Sequence, residues 1–432
     1  MRFPGRVAAA IEVLTDIEVR QRPASEALKD WGNSHRFAGS ADRAAIGNLV
    51  YDTLRKRLSA AHFAANNSPR AAVLATCIRE WGETPETLNA AFATDRFGPA
   101  QIEGAELSLF MRANPFAEAK ENVIADVPEW VAGEVASNFG EDWVSEARAL
   151  AERPPLDIRA NPLKAGRDKV LGSLKQYGAH ETTYARHGVR IEPGTRDARI
   201  PNVEADEHYR KGWFEIQDEG SQIVSALTGA KPGEQILDFC AGAGGKTLAM
   251  AAQMENRGQI FAHDSDKHRL APIHERLLRS GVRNVQVRVA GEGILRDLEG
   301  RMDRVVVDAP CTGSGVWRRR PDTKWKLRPE HFEKRLMEQH DILDSASHCV
   351  RPGGVLVYIT CSVLPRENEQ QVADFRAGHP QYTLVSVMDS FKALYGNSGP
   401  LPHSADLKTL TLTPLATKTD GFFCAILQRG AA

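Results

Sequence analysis

Two short apolar runs in this chain each end on a cysteine within turn-forming residues. Arg304-Val305-Val306-Val307 leads into Asp308-Ala309-Pro310-Cys311-Thr312-Gly313-Ser314-Gly315. Gly354-Val355-Leu356-Val357-Tyr358-Ile359 leads into Thr360-Cys361-Ser362-Val363-Leu364-Pro365. Such runs read as buried strands. Both thiols therefore fall at strand carboxyl ends, where open α/β sheets build their ligand crevice. A third strand, 235–239, enters a glycine-rich loop, Cys240-Ala241-Gly242-Ala243-Gly244-Gly245-Lys246-Thr247. One nucleotide-type loop and two thiols on one crevice suggest covalent chemistry beside a bound cofactor.

The rest of the chain agrees with such a sheet. Strands are expected at 235–239, 259–263, 285–289, 304–308 and 354–360, with further ones at 383–387 and 421–427. Helices fall between them, at 266–280 and 331–349 for example. This alternation predicts a doubly wound, Rossmann-like, largely parallel α/β sheet over 216–432. The final segment, 421–427, is expected as an antiparallel edge strand. Residues 1–145 repeat apolar positions at helical spacing and predict an all-helical domain. Glu152-Arg153-Pro154-Pro155 breaks that pattern. Between the two, 146–215 reads as a small α+β segment, with strands at 156–162 and 189–191 and a helix at 168–176.

A chain of 432 residues exceeds one typical core, which suits several domains. The formal net charge is −1, so any nucleic-acid surface must be local. The six cysteines form no CxxC pair, which argues against zinc or a disulfide framework, and no metal site is expected. Cys77, Cys349 and Cys424 lie in apolar surroundings and read as core thiols. Reduced thiols imply a cytoplasmic setting. The N-terminus has no signal-peptide pattern, and no apolar run reaches membrane-spanning length.

Three ligands compete for the glycine loop. A P-loop requires glycine where Cys240 stands. A dinucleotide fingerprint requires glycine where Thr247 stands. In the third reading, the glycines let backbone amides approach S-adenosylmethionine (SAM) at a helix N-terminus. Asp264 ends the next strand, about 20 residues further on, where an acid grips ribose hydroxyls. That suits SAM and NAD alike, but not a P-loop.

The thiols add a chemical constraint. A pyrimidine C5 is a poor nucleophile until a thiolate adds at C6. The reaction also needs a proton donor near N3 and a base for the C5 proton. Two cysteines and an aspartate at strand ends can supply these groups. The plainer alternative is a pair of buried structural thiols.

Asp308-Ala309-Pro310-Cys311 together with Thr360-Cys361-Ser362 resembles the motif pair of the Sun family of RNA (cytosine-5) methyltransferases. Ile216-Gln217-Asp218-Glu219-Gly220-Ser221-Gln222, Arg319-Arg320-Pro321-Asp322-Thr323-Lys324-Trp325, Pro352-Gly353-Gly354 and Arg366-Glu367-Asn368-Glu369 resemble further family segments, in order. The helical part, with Asp42-Arg43 and Val50-Tyr51-Asp52-Thr53-Leu54-Arg55, resembles the NusB-like domain of RsmB-type 16S ribosomal RNA enzymes. The resemblance implies Cys361 as the nucleophile on C6, Cys311 as the group assisting product release, and Asp308 at the target base or cofactor. It implies that Cys240, Ala241, Gly242, Ala243, Gly244, Gly245, Lys246, Asp264 and Asp308 bind SAM. Two departures stand out. Gly242-Ala243 replaces the family's Ala-Pro, and the aspartate expected after the third strand falls near Ala290, with Glu292 close by.

Arg318, Arg319, Arg320 and Lys324, interleaved with Trp317 and Trp325, form a basic and aromatic run suited to single-stranded RNA. The alternative is a solvated charged loop. Together these features imply a SAM-dependent RNA cytosine-C5 methyltransferase acting on ribosomal RNA. A tRNA substrate, or a catalytically silent ribosome-assembly factor, are its rivals.

Overall fold

The computed structural model describes residues 1–396 and 399–431. The chain forms two compact units. One comprises 1–154, 193–200 and 317–327; the other comprises 155–192, 201–316 and 328–432. No helix among the described residues is long and apolar enough to cross a membrane.

The first unit is helical. Helix Phe3–Arg20 starts with Pro4 in its first turn, where the missing N–H costs nothing. It buries Val7, Ala10, Val13, Leu14 and Ile17, a single face at helical spacing. That face shares a core with Ile46, Leu49, Val50 and Leu54 of helix Ser40–Arg55 and with Ala71, Ala72, Leu74 and Ala75 of helix Pro69–Arg79. The hydroxyl of Ser68 caps the latter helix by accepting from the Ala71 amide.

Residues 317–327 belong to this helical unit, and burial there argues against Arg318 and Lys324 as RNA contacts. Helix Ser40–Arg55 ends in carbonyls that have no intrahelical partner. Lys324 Nζ donates to the Arg55 carbonyl at 3.0 Å, and Trp325 Nε1 donates to the Leu54 carbonyl at 2.6 Å. Arg55 Nε donates in return to the Arg318 carbonyl at 2.7 Å. The Ala24 amide donates to Asp322. Lys324 and Arg318 are only 2 % and 4 % exposed. Arg319 is half-buried, and only Arg320 of the five expected RNA contacts is exposed. A basic run has become internal caps for a helix end.

The second unit holds two sheets. The small one is antiparallel, in order β2-β3-β1-β4, from β1 (Leu156–Ala160), β2 (His180–Glu181), β3 (Gly188–Ile191) and β4 (Phe214–Ile216). Ile158, Ala160, Val189, Ile191 and Phe214 form its apolar core with Val170 and Leu174 of helix Arg167–Leu174. On β1, the alternate residues Asp157 and Arg159 face away from that core. Arg190 is in register with Asp157 and donates to both of its carboxylate oxygens, at 2.7 and 2.8 Å.

The large sheet contains β5 (Gln235–Asp238), β6 (Gln259–Asp264), β7 (Val285–Val289), β8 (Met302–Asp308), β9 (Val350–Thr360), β10 (Tyr382–Val385), β11 (Leu410–Leu412) and β12 (Phe422–Arg429). Its order is β10-β12-β9-β8-β5-β6-β7, with β11 paired to β12. The strands from β9 to β7 run parallel; β12 is antiparallel to each of its neighbours. The segment expected as an edge strand is therefore interior, and β10 takes the edge beyond it. The expected helix over 266–280 is split into Lys267–Leu270 and Ile273–Ser280 around Pro272, which has no N–H to give. Strand order reverses between β5 and β8, so a crevice opens at their carboxyl ends.

The buried Lys324 gives a testable pH dependence. Burial pulls its ammonium down to about 8, against the opposing pull of Asp126. Between pH 8 and 10.5 the unfolded chain holds this proton and the folded chain does not, so folding gains stability as pH rises. The gain is about 3 kcal/mol at its upper limit. Thermal unfolding of the intact chain and of Lys324→Met across this window should diverge accordingly. Parallel curves would show that the lysine is not desolvated.

Candidate active site

The crevice gathers its residues from four strand ends. After β5, the loop turns through Gly242 and Gly244, both left-handed with φ of 50° and 85°. A side chain at Gly244 would also meet Ile273 Cγ1 at 2.6 Å, so glycine is required there twice over. Helix Gly245–Gln253 follows, with its amino end at the crevice. The Gly242 amide donates to Asp264 Oδ2 at 2.9 Å, and the Asp266 amide donates to Oδ1 at 2.9 Å. Asp264 thus ties the glycine loop to the end of β6. Glu292, beyond β7, is exposed.

Beneath the loop lies a carboxylate that the sequence did not single out. Asp238, at the end of β5, is fully buried and accepts from Thr247 Oγ1 at 2.6 Å. Its other oxygen has no protein partner among the described residues. Burial pushes its carboxyl up to about 7, with Asp308 adding to the shift and Thr247 and Lys246 opposing it. Lys246 Nζ donates to Asp308 Oδ2 at 2.5 Å and lies 5.3 Å from the Phe422 ring centre. Burial also pushes the Cys240 thiol well above its usual range, with Asp264, Asp238 and Asp308 adding to it.

The two crevice cysteines meet: Cys311 Sγ and Cys361 Sγ are 3.4 Å apart, with no disulfide between them. The Cys311 thiol is held protonated, well above its usual range, first by its hydrogen bond with Cys361 and then by burial. The loops that carry them are stitched together. The Gly315 amide donates to the Cys361 carbonyl at 3.0 Å, and the Val363 amide donates to Ser314 Oγ at 2.9 Å. The Gly421 amide donates to the Gly315 carbonyl at 2.8 Å; a Cβ at Gly315 would sit 2.2 Å from the Gly421 oxygen.

Glu367 organises the Cys311 loop, a role that sequence reading missed. It is fully buried and accepts from the Thr312 amide at 2.8 Å, Thr312 Oγ1 at 2.6 Å and Gln339 Nε2 at 3.0 Å. Gln339 Nε2 also lies 2.9 Å from the Pro310 carbonyl, to which it donates. Desolvation raises the Glu367 carboxyl, and its donors oppose the rise. Thr360 and Asn368 brace the other loop: Thr360 Oγ1 donates to Asn368 Oδ1, and Asn368 Nδ2 donates to the Ser362 carbonyl.

The structure therefore brings 240–246, Asp264, Asp308, Cys311 and Cys361 to the carboxyl ends of β5, β6, β8 and β9. Arg318 and Lys324 are buried and Trp325 half-buried within the helical unit. A family model described as 16S rRNA methyltransferase RsmB/F matches residues 225–428, which contain every crevice residue named above. Over that stretch the chain matches the RsmB/F methyltransferase family. A second model, an RsmF/B-like ferredoxin-like domain, matches residues 127–196.

Among curated relatives, ribosomal RNA small subunit methyltransferase B of Pectobacterium carotovorum is 33 % identical over 307 residues, covering 70 % of this chain and 66 % of the relative. The same-named protein of Yersinia pseudotuberculosis is 33 % identical over 303 residues, covering 69 % and 65 %. The matched stretch is thus just under two thirds of these relatives' length. Among solved structures, a methyltransferase homolog protein from Pyrococcus horikoshii has a TM-score of 0.59 at 25 % identity, covering 72 % of this chain and 97 % of that one. PH0851 has a TM-score of 0.74 at 24 % identity and covers 99 % of each chain, a likeness of fold.

Glu367 supplies the prediction that this RsmB/F geometry generates. Glu367→Ala should leave the Thr312 amide without its acceptor and destabilise the chain by about 1–3 kcal/mol. Amide exchange at 311–315 should speed up while exchange in β5 and β6 stays slow. Unchanged protection at Thr312 would remove Glu367 from this role.

Proposed function

We propose that this chain methylates C5 of a cytosine in RNA, with SAM as methyl donor and ribosomal RNA of the small subunit as substrate. The observation that carries the reading is the pair of thiols 3.4 Å apart beside the glycine loop and the Lys246–Asp308 pair. A merely structural pair of thiols has no need of a neighbouring amide-rich loop, an ion pair and a crevice. The RsmB/F match over 225–428 and the names of the curated relatives support the ribosomal substrate.

The crevice fits SAM. Two left-handed glycines keep side chains out of the loop, the amino end of helix Gly245–Gln253 offers amides, and Asp264 ends β6 where ribose hydroxyls are gripped. When bound, SAM supplies an electrophilic methyl group to C5. Cys361, as thiolate, adds to C6 of the base and makes C5 nucleophilic. Asp308, held by Lys246, faces the same crevice and orients the base or the cofactor. Cys311 holds a proton at the outset through its bond with Cys361. Once Cys361 is engaged on C6, Cys311 loses the bond that holds its proton, gives that proton to solvent, and as thiolate takes the C5 proton. Elimination then returns the Cys361 thiolate and restores the aromatic ring.

The two thiols should therefore fail differently on substitution. Cys361→Ala should form no covalent complex with RNA and transfer no methyl group. Cys311→Ala should methylate and then stall, leaving a protein–RNA complex that survives denaturing electrophoresis. An adduct with Cys361→Ala and none with Cys311→Ala would reverse the assignment; full activity in both would exclude covalent catalysis by these groups.

The cofactor assignment has a separate test. Asp264→Ala removes hydrogen bonds to ribose and loosens the glycine loop, and SAM affinity measured by calorimetry should fall about tenfold or more. An unaltered affinity would remove Asp264 from the cofactor site.

A further inference from the structure

A second cavity, of about 870 Å³, lies in the same unit as the crevice. None of 240–246, Asp264, Asp308, Cys311 or Cys361 lines it. Its floor is made of small side chains, Ala226, Ala249 and Ala252, on helices Glu219–Leu227 and Gly245–Gln253. Its walls come from Arg159 on β1 and from residues 184–187 between β2 and β3.

Arg159 is only 6 % exposed, yet it lines this cavity. Its Nε donates to Gln217 Oε1 at 2.6 Å. Among the described residues no acceptor meets its two terminal nitrogens. Burial lowers the guanidinium to about 10, with Arg276 adding and Glu215, in register on β4, opposing; it stays charged at neutral pH, and Glu215 is itself held by Arg276 and Arg279. A desolvated cation with most of its donors open is costly to keep unless something anionic completes it. Arg186 stands exposed on the same wall. Between them, His187 is depressed by burial and by Arg186, Arg159 and Arg167, so the local field is positive. Glu255, the one acid on the wall, is already paired with Arg257 at 2.8 Å.

The remaining features suit a base. Tyr184 and Tyr395 line the cavity with ring centres 5.9 Å apart, edge to face. The amide of Gln222 also lines it; its Nε2 donates to the Gln217 carbonyl, while its oxygen is buried without a donor among the described residues. We propose that this cavity binds a nucleoside phosphate, with the phosphate on Arg159 and Arg186 and the base against Tyr184 and Tyr395. The ligand is either one nucleotide of an RNA strand or a free nucleotide, and the site is separate from the methyl-transfer crevice.

The test uses the full chain and does not depend on methyl transfer. Two probes are titrated by calorimetry: cytidine 5′-monophosphate and a single-stranded oligouridylate. The variants are Arg159→Gln, Arg186→Gln and Ala226→Trp, the last filling the cavity from a half-exposed helix position that leaves the core alone. Each should weaken at least one probe about tenfold or more. If the strand is the ligand, oligouridylate binding weakens, and its logarithmic salt slope flattens by about 0.7 for each phosphate that the protein no longer neutralises. If a free nucleotide is the ligand, the monophosphate alone is affected. SAM affinity should hold in all three variants, which separates failure here from failure of the methyltransferase reading. Should all three bind both probes as the intact chain does, the cavity is a packing gap and the proposal falls.

Discussion

The register between β8 and β9 is the constraint on which the crevice depends. Asp308 stands opposite Ile359 in this parallel pair, and the last ladder bond runs from the Ala309 amide to the Ile359 carbonyl at 2.9 Å. Pro310 follows and has no N–H to continue the ladder. Both chains therefore leave the sheet at the same level, and each carries its cysteine within a few residues of the exit. A slip of one residue would turn one thiol to the opposite face. Glu367 and Ser314 then hold the two exits together by bonds to backbone amides, so that the sulfur atoms meet by construction rather than by side-chain chance.

Much of this was legible in the sequence because buried parallel strands are written in β-branched runs that end at chemistry-bearing loops. Runs 235–239, 304–308 and 354–360 each announced themselves in that way. The strand β11 did not, since three residues are too few to show a period. The interior position of β12 was also hidden. Whether a strand is an edge depends on what pairs beside it, here β10, which precedes it by 36 residues from end to start — a relation no local pattern contains. Glu367 was quoted in a motif without a role, because its donors lie 55 and 28 residues away in sequence.

The near-neutral charge balance takes on a different meaning once the cations are located. Arg55, Arg159, Arg190, Arg318 and Lys324 are all buried. Several of them join backbone carbonyls or carboxylates that would otherwise be left without partners. A count of basic residues therefore overstates the charge available to a polyanion, and a run of them in sequence says little about where that charge points. The expectation for 317–327 rested on such a count. Its lysine and tryptophan answer to two carbonyls at the end of Ser40–Arg55, over 260 residues earlier in the chain.

That same segment bears on how the chain can be divided. Residues 317–327 lie in sequence between β8 and β9 yet are part of the helical unit, so the polypeptide leaves one unit and returns to it between the two cysteine loops. A single cut after Pro154 therefore cannot separate the units cleanly. The helical fragment would lose the donors that cap Leu54 and Arg55, and the remainder would carry Trp325 and Lys324 stripped of their cover. Limited proteolysis at the 154–155 junction would nick this protein without releasing a folded piece, and its two halves should travel together through gene fission or fusion as one inherited module.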